Sequence, residues 1–107
     1  MIKSGVDLRG LQPQMVLAFF MIQTVYYRKG YVCTITSCSD GKHGPNSLHY
    51  AGKALDIRTR NVMPQDLPGI MKDIKESLGE QFDVVLEGDH IHVEFDPKEP
   101  VKNPEEA

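Results

Sequence analysis

Apolar residues recur at helical spacing across residues 13–29 and again across 66–78, whereas 31–37, 53–59, 82–87 and 90–95 alternate or cluster as strands do. Pro13 suits the opening turn of the first helix, where its missing N–H is not needed. Val16, Leu17, Phe20, Met21, Val25 and Tyr27 are the expected inward stripe of that helix. Arg28 and Lys29 favour its C-terminal end, and Gly30 its left-handed cap. The run 31–37 mixes β-branched and aromatic residues, as a strand does. In the strand 53–59, Ala54 and Asp56 share a face. Asp66 is the expected N-cap of the second helix, Leu67, Ile70, Met71, Ile74 and Leu78 its apolar stripe, and Gly79 its stop. Two β-runs, 82–87 and 90–95, flank Gly88-Asp89, a two-residue hairpin signature. The pattern implies an α+β fold: a small, mostly antiparallel sheet with helices packed on one face and a cleft on the other. Residues 1–96 form the expected single domain, opening on an irregular lead-in. From Pro97, the Pro- and Glu-rich stretch to Ala107 reads as a disordered tail.

Length and charge narrow the function. A chain of 107 residues builds one modest core. With 40% hydrophobic and 25% charged residues, the composition is that of an ordinary soluble domain. A net charge of −3, with no run of lysine or arginine, argues against nucleic acid as a partner. The apolar run 15–22 is far below the roughly 20 residues that span a bilayer. Gln12, Pro13 and Gln14 before it and Gln23 and Thr24 after it are unlike a signal peptide, so neither membrane insertion nor an export leader is expected. Cys33 and Cys38 stand too far apart along an extended segment to bridge, and are expected as free thiols.

The chemistry concentrates in the histidines. All four, His43, His49, His90 and His92, fall into two segments separated by the second helix. Imidazole and carboxylate are common zinc ligands, and a catalytic zinc site holds three of them beside an open position. His49 and Asp56 supply two if the chain folds back after His49, which Gly52 permits. His90 and His92, two apart on a strand, point to one face.

The pattern Ser47-x-His49-x-x-Gly52-x-Ala54-x-Asp56, with Asp89-His90-x-His92 downstream, resembles the hedgehog/DD-peptidase zinc superfamily. Its enzymes cut cell-wall peptides that contain D-amino acids; its hedgehog branch is a signalling domain. The likeness spans residues 11–96. It implies zinc (Zn2+) held by His49, Asp56 and His92, Asp89 as the general base and His90 as the group facing the substrate oxyanion. His43 matches a cleft histidine of the hedgehog branch, where Asp40-Gly41-x-His43 and Ser47-Leu48-His49-Tyr50 are also similar.

Two departures stand out. The arginine with which many such peptidases grip a substrate carboxylate is replaced by the run Ser37-Cys38-Ser39-Asp40, leaving Lys42, Lys53 and Arg58 as candidates. The hedgehog branch places its acid further upstream than Asp89, which keeps Glu87 as a second candidate base. The expectation is a monomeric zinc peptidase acting on peptidoglycan stem peptides, with His43 and Lys42 on the substrate. It is made in the cytoplasm and, given its size and the resemblance, released to the wall by a phage or prophage lysis system. The alternative is a non-catalytic, hedgehog-like zinc module that binds a protein or cell-wall partner. A closed structural zinc site is disfavoured, because such sites usually take four protein ligands, often cysteines.

Overall fold

The computed structural model describes residues 1–38 and 52–97. Two helices, α1 (Pro13–Arg28) and α2 (Leu67–Leu78), pack on a sheet of β1 (Ile35–Ser37), β2 (Ala54–Arg58), β3 (Phe82–Glu87) and β4 (His90–Phe95). The strand order is β1-β2-β4-β3, and every neighbouring pair is antiparallel. The fold is therefore α+β, as the hydrophobic pattern implies.

Strand alternation decides which face the helices cover. Ile35, Leu55, Ile57, Ile91 and Val93 are essentially inaccessible, and they share one core with Met15, Ala18, Ile22 and Tyr26 of α1 and Ile70 and Ile74 of α2. Burying each Val, Ile or Leu side chain contributes about 1.5–3 kcal/mol. A slip of one residue between β2 and β4 would exchange this apolar set for Asp56 and His92, so the core enforces the register. In that register Leu55 faces Val93, Ile57 faces Ile91, and Asp56 faces His92 on the opposite side of the sheet.

Helix α1 corrects one expectation. Its buried residues are Met15, Ala18, Ile22, Val25 and Tyr26, whereas Leu17, Phe20 and Tyr27 are 65%, 58% and 80% exposed. Of the expected stripe only Val25 is buried. The segment is apolar almost all the way round, so periodicity could not choose its inward face; the small Ala18 and the hydroxyl of Tyr26, which donates to the Arg58 carbonyl at 2.9 Å, mark the face that packs.

Strand β1 is shorter than expected, beginning at Ile35 instead of residue 31, and β2 loses a residue at each end. The lead-in compensates along the outer edge of β1. Ile2 forms a parallel bridge to Ile35, where the Lys3 N–H donates to the Ile35 carbonyl and the Ile35 N–H to the Met1 carbonyl, both at 2.9 Å. Asp66 stands at the start of α2 behind a 3-10 turn (Pro64–Asp66), yet its carboxylate makes no cap and instead accepts a hydrogen bond from the Tyr31 hydroxyl. Gly30 follows α1 at φ 86, as a left-handed cap requires. Cys33 and Cys38 are both buried and are not bridged to each other. Burial pushes the Cys33 thiol up to about 12.

Candidate functional site

The hairpin β3–β4 and its partner β2 build the polar face. Gly88 takes φ 58 and Asp89 a negative φ, the pattern of a type II′ turn, which closes Glu87 onto His90. Register then arranges the outward side chains in three rows: Ala54–Glu94–Asp83, Asp56–His92–Val85 and Arg58–His90–Glu87. Each row takes one residue from each strand, and consecutive rows lie two residues, about 7 Å, apart along the strand.

Among the described residues, the middle row holds the shortest polar contact of the face. Nδ1 of His92 lies 2.9 Å from Oδ1 of Asp56, and its Nε2 lies 3.3 Å from Oε1 of Glu94. These side chains are largely buried, at 19% exposure for His92 and 14% for Asp56. The hydrogen bond to Asp56 raises the His92 pKa above its ordinary value; burial opposes the shift, and the charges of Asp56, Glu94 and Glu87 add to it. Nε2 of His90 stands 3.9 Å from Oδ1 of Asp56 and 3.8 Å from Oε1 of Glu87, while Nδ1 of His92 is 3.9 Å from the same Glu87 oxygen. Asp89 projects from the turn, 85% exposed, with Oδ1 3.2 Å from Nδ1 of His90. That hydrogen bond and one from its own backbone N–H hold the Asp89 carboxyl below the usual carboxylate range.

No family model and no curated protein matches the chain. The site therefore has to be read from its own donors. Ligand atoms around a tetrahedral zinc with bonds of about 2.0–2.1 Å stand roughly 3.3 Å apart. The Asp56–His92 contact needs to open by only a few tenths of an ångström to meet that spacing. Glu94 completes a carboxylate–histidine pair behind the ligand atom, the arrangement that fixes the tautomer and orientation of metal-binding imidazoles. One imidazole and one carboxylate thus fit the zinc expectation. The third expected ligand, His49, and the expected substrate residues His43 and Lys42 lie outside the described residues.

The expected catalytic pair is brought to the same face: His90 sits beside Asp56, and Asp89 sits beside His90. Glu87, the second candidate base, approaches both His90 and His92. Of the candidates for the absent arginine, Arg58 lies directly opposite His90. It lines a cleft of about 260 Å3 together with Lys3, Thr36, Arg60, Asp89 and His90.

Among the described residues, one set of three ligand atoms lies within 4.8 Å of one another, and the resemblance does not point to it: Asp83, Glu94 and Asp96. Three carboxylates are hard donors suited to calcium, which takes six to eight oxygens, and they are a poor match to a nitrogen-rich zinc set. Sequence reasoning assigns Glu94 no role beyond a packing or solvated residue. Its signal was the strand parity it shares with His92, two residues earlier. No sequence signal joins Lys3 to Arg58 and Arg60, which only the packing of the lead-in onto β1 brings together. Among the described residues no helix is long and apolar enough to cross a membrane.

Proposed function

We propose that this chain is a zinc-dependent peptidase hydrolysing a peptide bond of peptidoglycan stem peptides, with His49, Asp56 and His92 holding the metal. The observation that carries the reading is the 2.9 Å approach of Asp56 to His92 on the polar face, with His90 beside it. It supports a resemblance first drawn from motif spacing. When bound there, zinc would supply a Lewis acid for the scissile carbonyl and would acidify a water. The chain's own groups do the rest. Asp89 takes the proton of the attacking water and returns it to the leaving amine. His90 donates a hydrogen bond towards the oxygen on which negative charge develops. Glu94 steadies His92, and the buried apolar rows behind Asp56 and His92 keep both strands rigid.

Two acids compete for the role of base. Asp89 stands at the sequence position that the resemblance assigns, whereas Glu87 is the acid nearer to His92. Zinc content and hydrolysis of purified peptidoglycan, measured on the native protein and on Asp89→Asn, Glu87→Gln and His49→Ala, separate them. The expected result is stoichiometric zinc with activity lost in Asp89→Asn, activity retained in Glu87→Gln, and both zinc and activity lost in His49→Ala. Loss in Glu87→Gln alone would move the base to Glu87.

One observation favours the second reading, a non-catalytic zinc module. His90 holds Asp89 below the usual carboxylate range, which makes it a weaker base. A native protein that binds zinc yet hydrolyses neither cell wall nor stem peptides would establish that module and end the peptidase proposal.

A further inference from the structure

We propose that α1 is a dimerisation helix: its solvent face docks antiparallel on the same face of a second copy of this chain, on the side of the molecule away from Asp56 and His92, in place of the expected monomer. The inference is independent of the peptidase reading. Pattern is the first argument. Pro13, Leu17, Phe20, Thr24 and Tyr27 are all exposed and follow one another in steps of four, three, four and three. That is the spacing of a helix–helix seam, and it runs along the side opposite Met15, Ala18, Ile22 and Tyr26, which already fill the core. Val16 and Met21, both exposed, flank the seam, and α1 carries no charge before Arg28.

The surface is also shaped for its own copy. Phe20, Gln23, Thr24 and Tyr27, at i, i+3, i+4 and i+7, surround a hollow of about 270 Å3. Four residues in that relation form the hole that receives a knob from a facing helix. With a two-fold axis level with Ile22, Phe20 enters the partner's hollow over the partner's Thr24, and Leu17 meets the partner's Tyr27. Large then faces small at the centre of the contact, as close packing requires. The Thr24 hydroxyl already donates to the Phe20 carbonyl at 3.0 Å, so covering it strands no polar group. An antiparallel pair keeps Arg28 about 18 Å along the axis from its own copy, whereas a parallel pair brings the two like charges within about 10 Å.

Area and charge decide the occupant. Taking about 200 Å2 for a large side chain, the exposed fractions of Val16, Leu17, Phe20, Met21 and Tyr27 leave roughly 550 Å2 on each copy. Such a patch stands at the upper end of what a chain leaves uncovered on its own. Two copies, with Gln14, Gln23 and Thr24 at the rim, bury about 1,200 Å2, where specific interfaces begin. A lipid surface would ask for lysine or arginine along the helix, and this one has only Arg28 and Lys29 at its end. Residues 98–107 offer only Val101 as a large apolar side chain, too little to fill the seam. An interface of this size gives a dissociation constant of roughly 10–100 μM, so the chain is monomeric at the low micromolar concentrations of thermal unfolding.

The test is sedimentation equilibrium of the full chain from about 5 to 500 μM, with and without a chelator. The mass should climb from 12.0 kDa towards twice that value in both buffers. Phe20→Lys and Thr24→Glu, both at exposed helix positions, should each weaken association about thirtyfold or more, while thermal unfolding at low concentration shifts by less than about 4 °C. Mixing the two variants should recover association, because the antiparallel register sets lysine against glutamate in one layer and leaves the other layer native. A native chain that stays at 12.0 kDa throughout would overturn the proposal, as would a dimer that survives Phe20→Lys or one that dissolves with the chelator. A mixture no more associated than its parts would overturn the antiparallel register. Flotation of a monomeric protein with phosphatidylcholine vesicles would overturn the second copy in favour of lipid.

Discussion

Replacing Gly52 by alanine tests how the site is anchored, because this residue joins the motif around His49 to the strand that carries Asp56. Gly52 has φ 71, and a Cβ built on it would stand 2.0 Å from the Gly10 carbonyl oxygen, 2.9 Å from the Gly10 carbonyl carbon and 3.3 Å from Cα of Leu11. All three are backbone atoms, so no side-chain rotation relieves the overlap. The same stretch is tied by the Gln12 N–H donating to the Gly52 carbonyl at 2.9 Å, just before α1 begins. The left-handed conformation costs a non-glycine residue about 1 kcal/mol. Displacing the backbone by more than an ångström sacrifices that hydrogen bond, about 1 kcal/mol, and a comparable amount of packing around Leu11. The sum, roughly 3 kcal/mol, is a large share of the 5–15 kcal/mol typical of a domain. It corresponds to a fall in Tm of about 12 °C for a chain of this length. Gly30→Ala is the matched control, since Gly30 has φ 86 with nothing within 4 Å of the added Cβ. It should lose only the conformational part, about 1 kcal/mol. Thermal unfolding followed by circular dichroism compares the two, and zinc affinity reads the effect on Asp56. Equal losses in Gly52→Ala and Gly30→Ala would refute the close approach of residues 10 and 11 to Gly52.

Three further outcomes are expected. Glu94→Gln should lower zinc affinity about ten- to a hundredfold by releasing Nε2 of His92, measured by competition with a chromophoric chelator; an unchanged affinity would separate Glu94 from the metal site. Stability should fall as the pH rises above about 9. The folded state keeps the Cys33 thiol protonated to about 12 and holds Tyr26 above its ordinary range, in both cases chiefly through burial, while the unfolded chain ionises near 9 and 10. The folded state then binds more protons than the unfolded one. The loss is about 1.4 kcal/mol per pH unit for Cys33 between pH 9 and 12, with Tyr26 adding a similar slope above pH 10; urea unfolding that is flat from pH 8.5 to 11 would contradict both burials. On α1, Ile22→Ala should cost about 2–5 kcal/mol, whereas Leu17→Ala should stay near 0.5 kcal/mol, and a large loss at Leu17 would mean that the helix packs on its other face.

Much of this molecule is written locally. The strands Phe82–Glu87 and His90–Phe95 coincide with their alternating pattern, and Gly88-Asp89 dictates the turn, because period and turn chemistry are properties of neighbouring residues. The pairing of His90 and His92 on one face follows from strand parity alone. The meeting of Asp56 with His92 was implied by the resemblance; strand parity sets each on the face opposite its apolar neighbours, and only the pairing of β2 with β4 places them opposite each other. Other features depend on contacts that sequence neighbours do not encode. The inward face of α1 was one, because apolar residues surround that helix and only its fit to α2 and the sheet selects Met15, Ala18 and Ile22. The desertion of the cap by Asp66 in favour of the Tyr31 hydroxyl was another. Lys3, Arg58 and Arg60 lie up to 57 positions apart in the chain (60 minus 3) and share a cleft only because residues 1–3 lie along the edge of β1. The sequence by itself determined the two helices and the β3–β4 hairpin, since these rest on local periodicity and residue type. The tertiary structure decided which helix face is buried and which charges meet, since both depend on how separate elements compete for the same core.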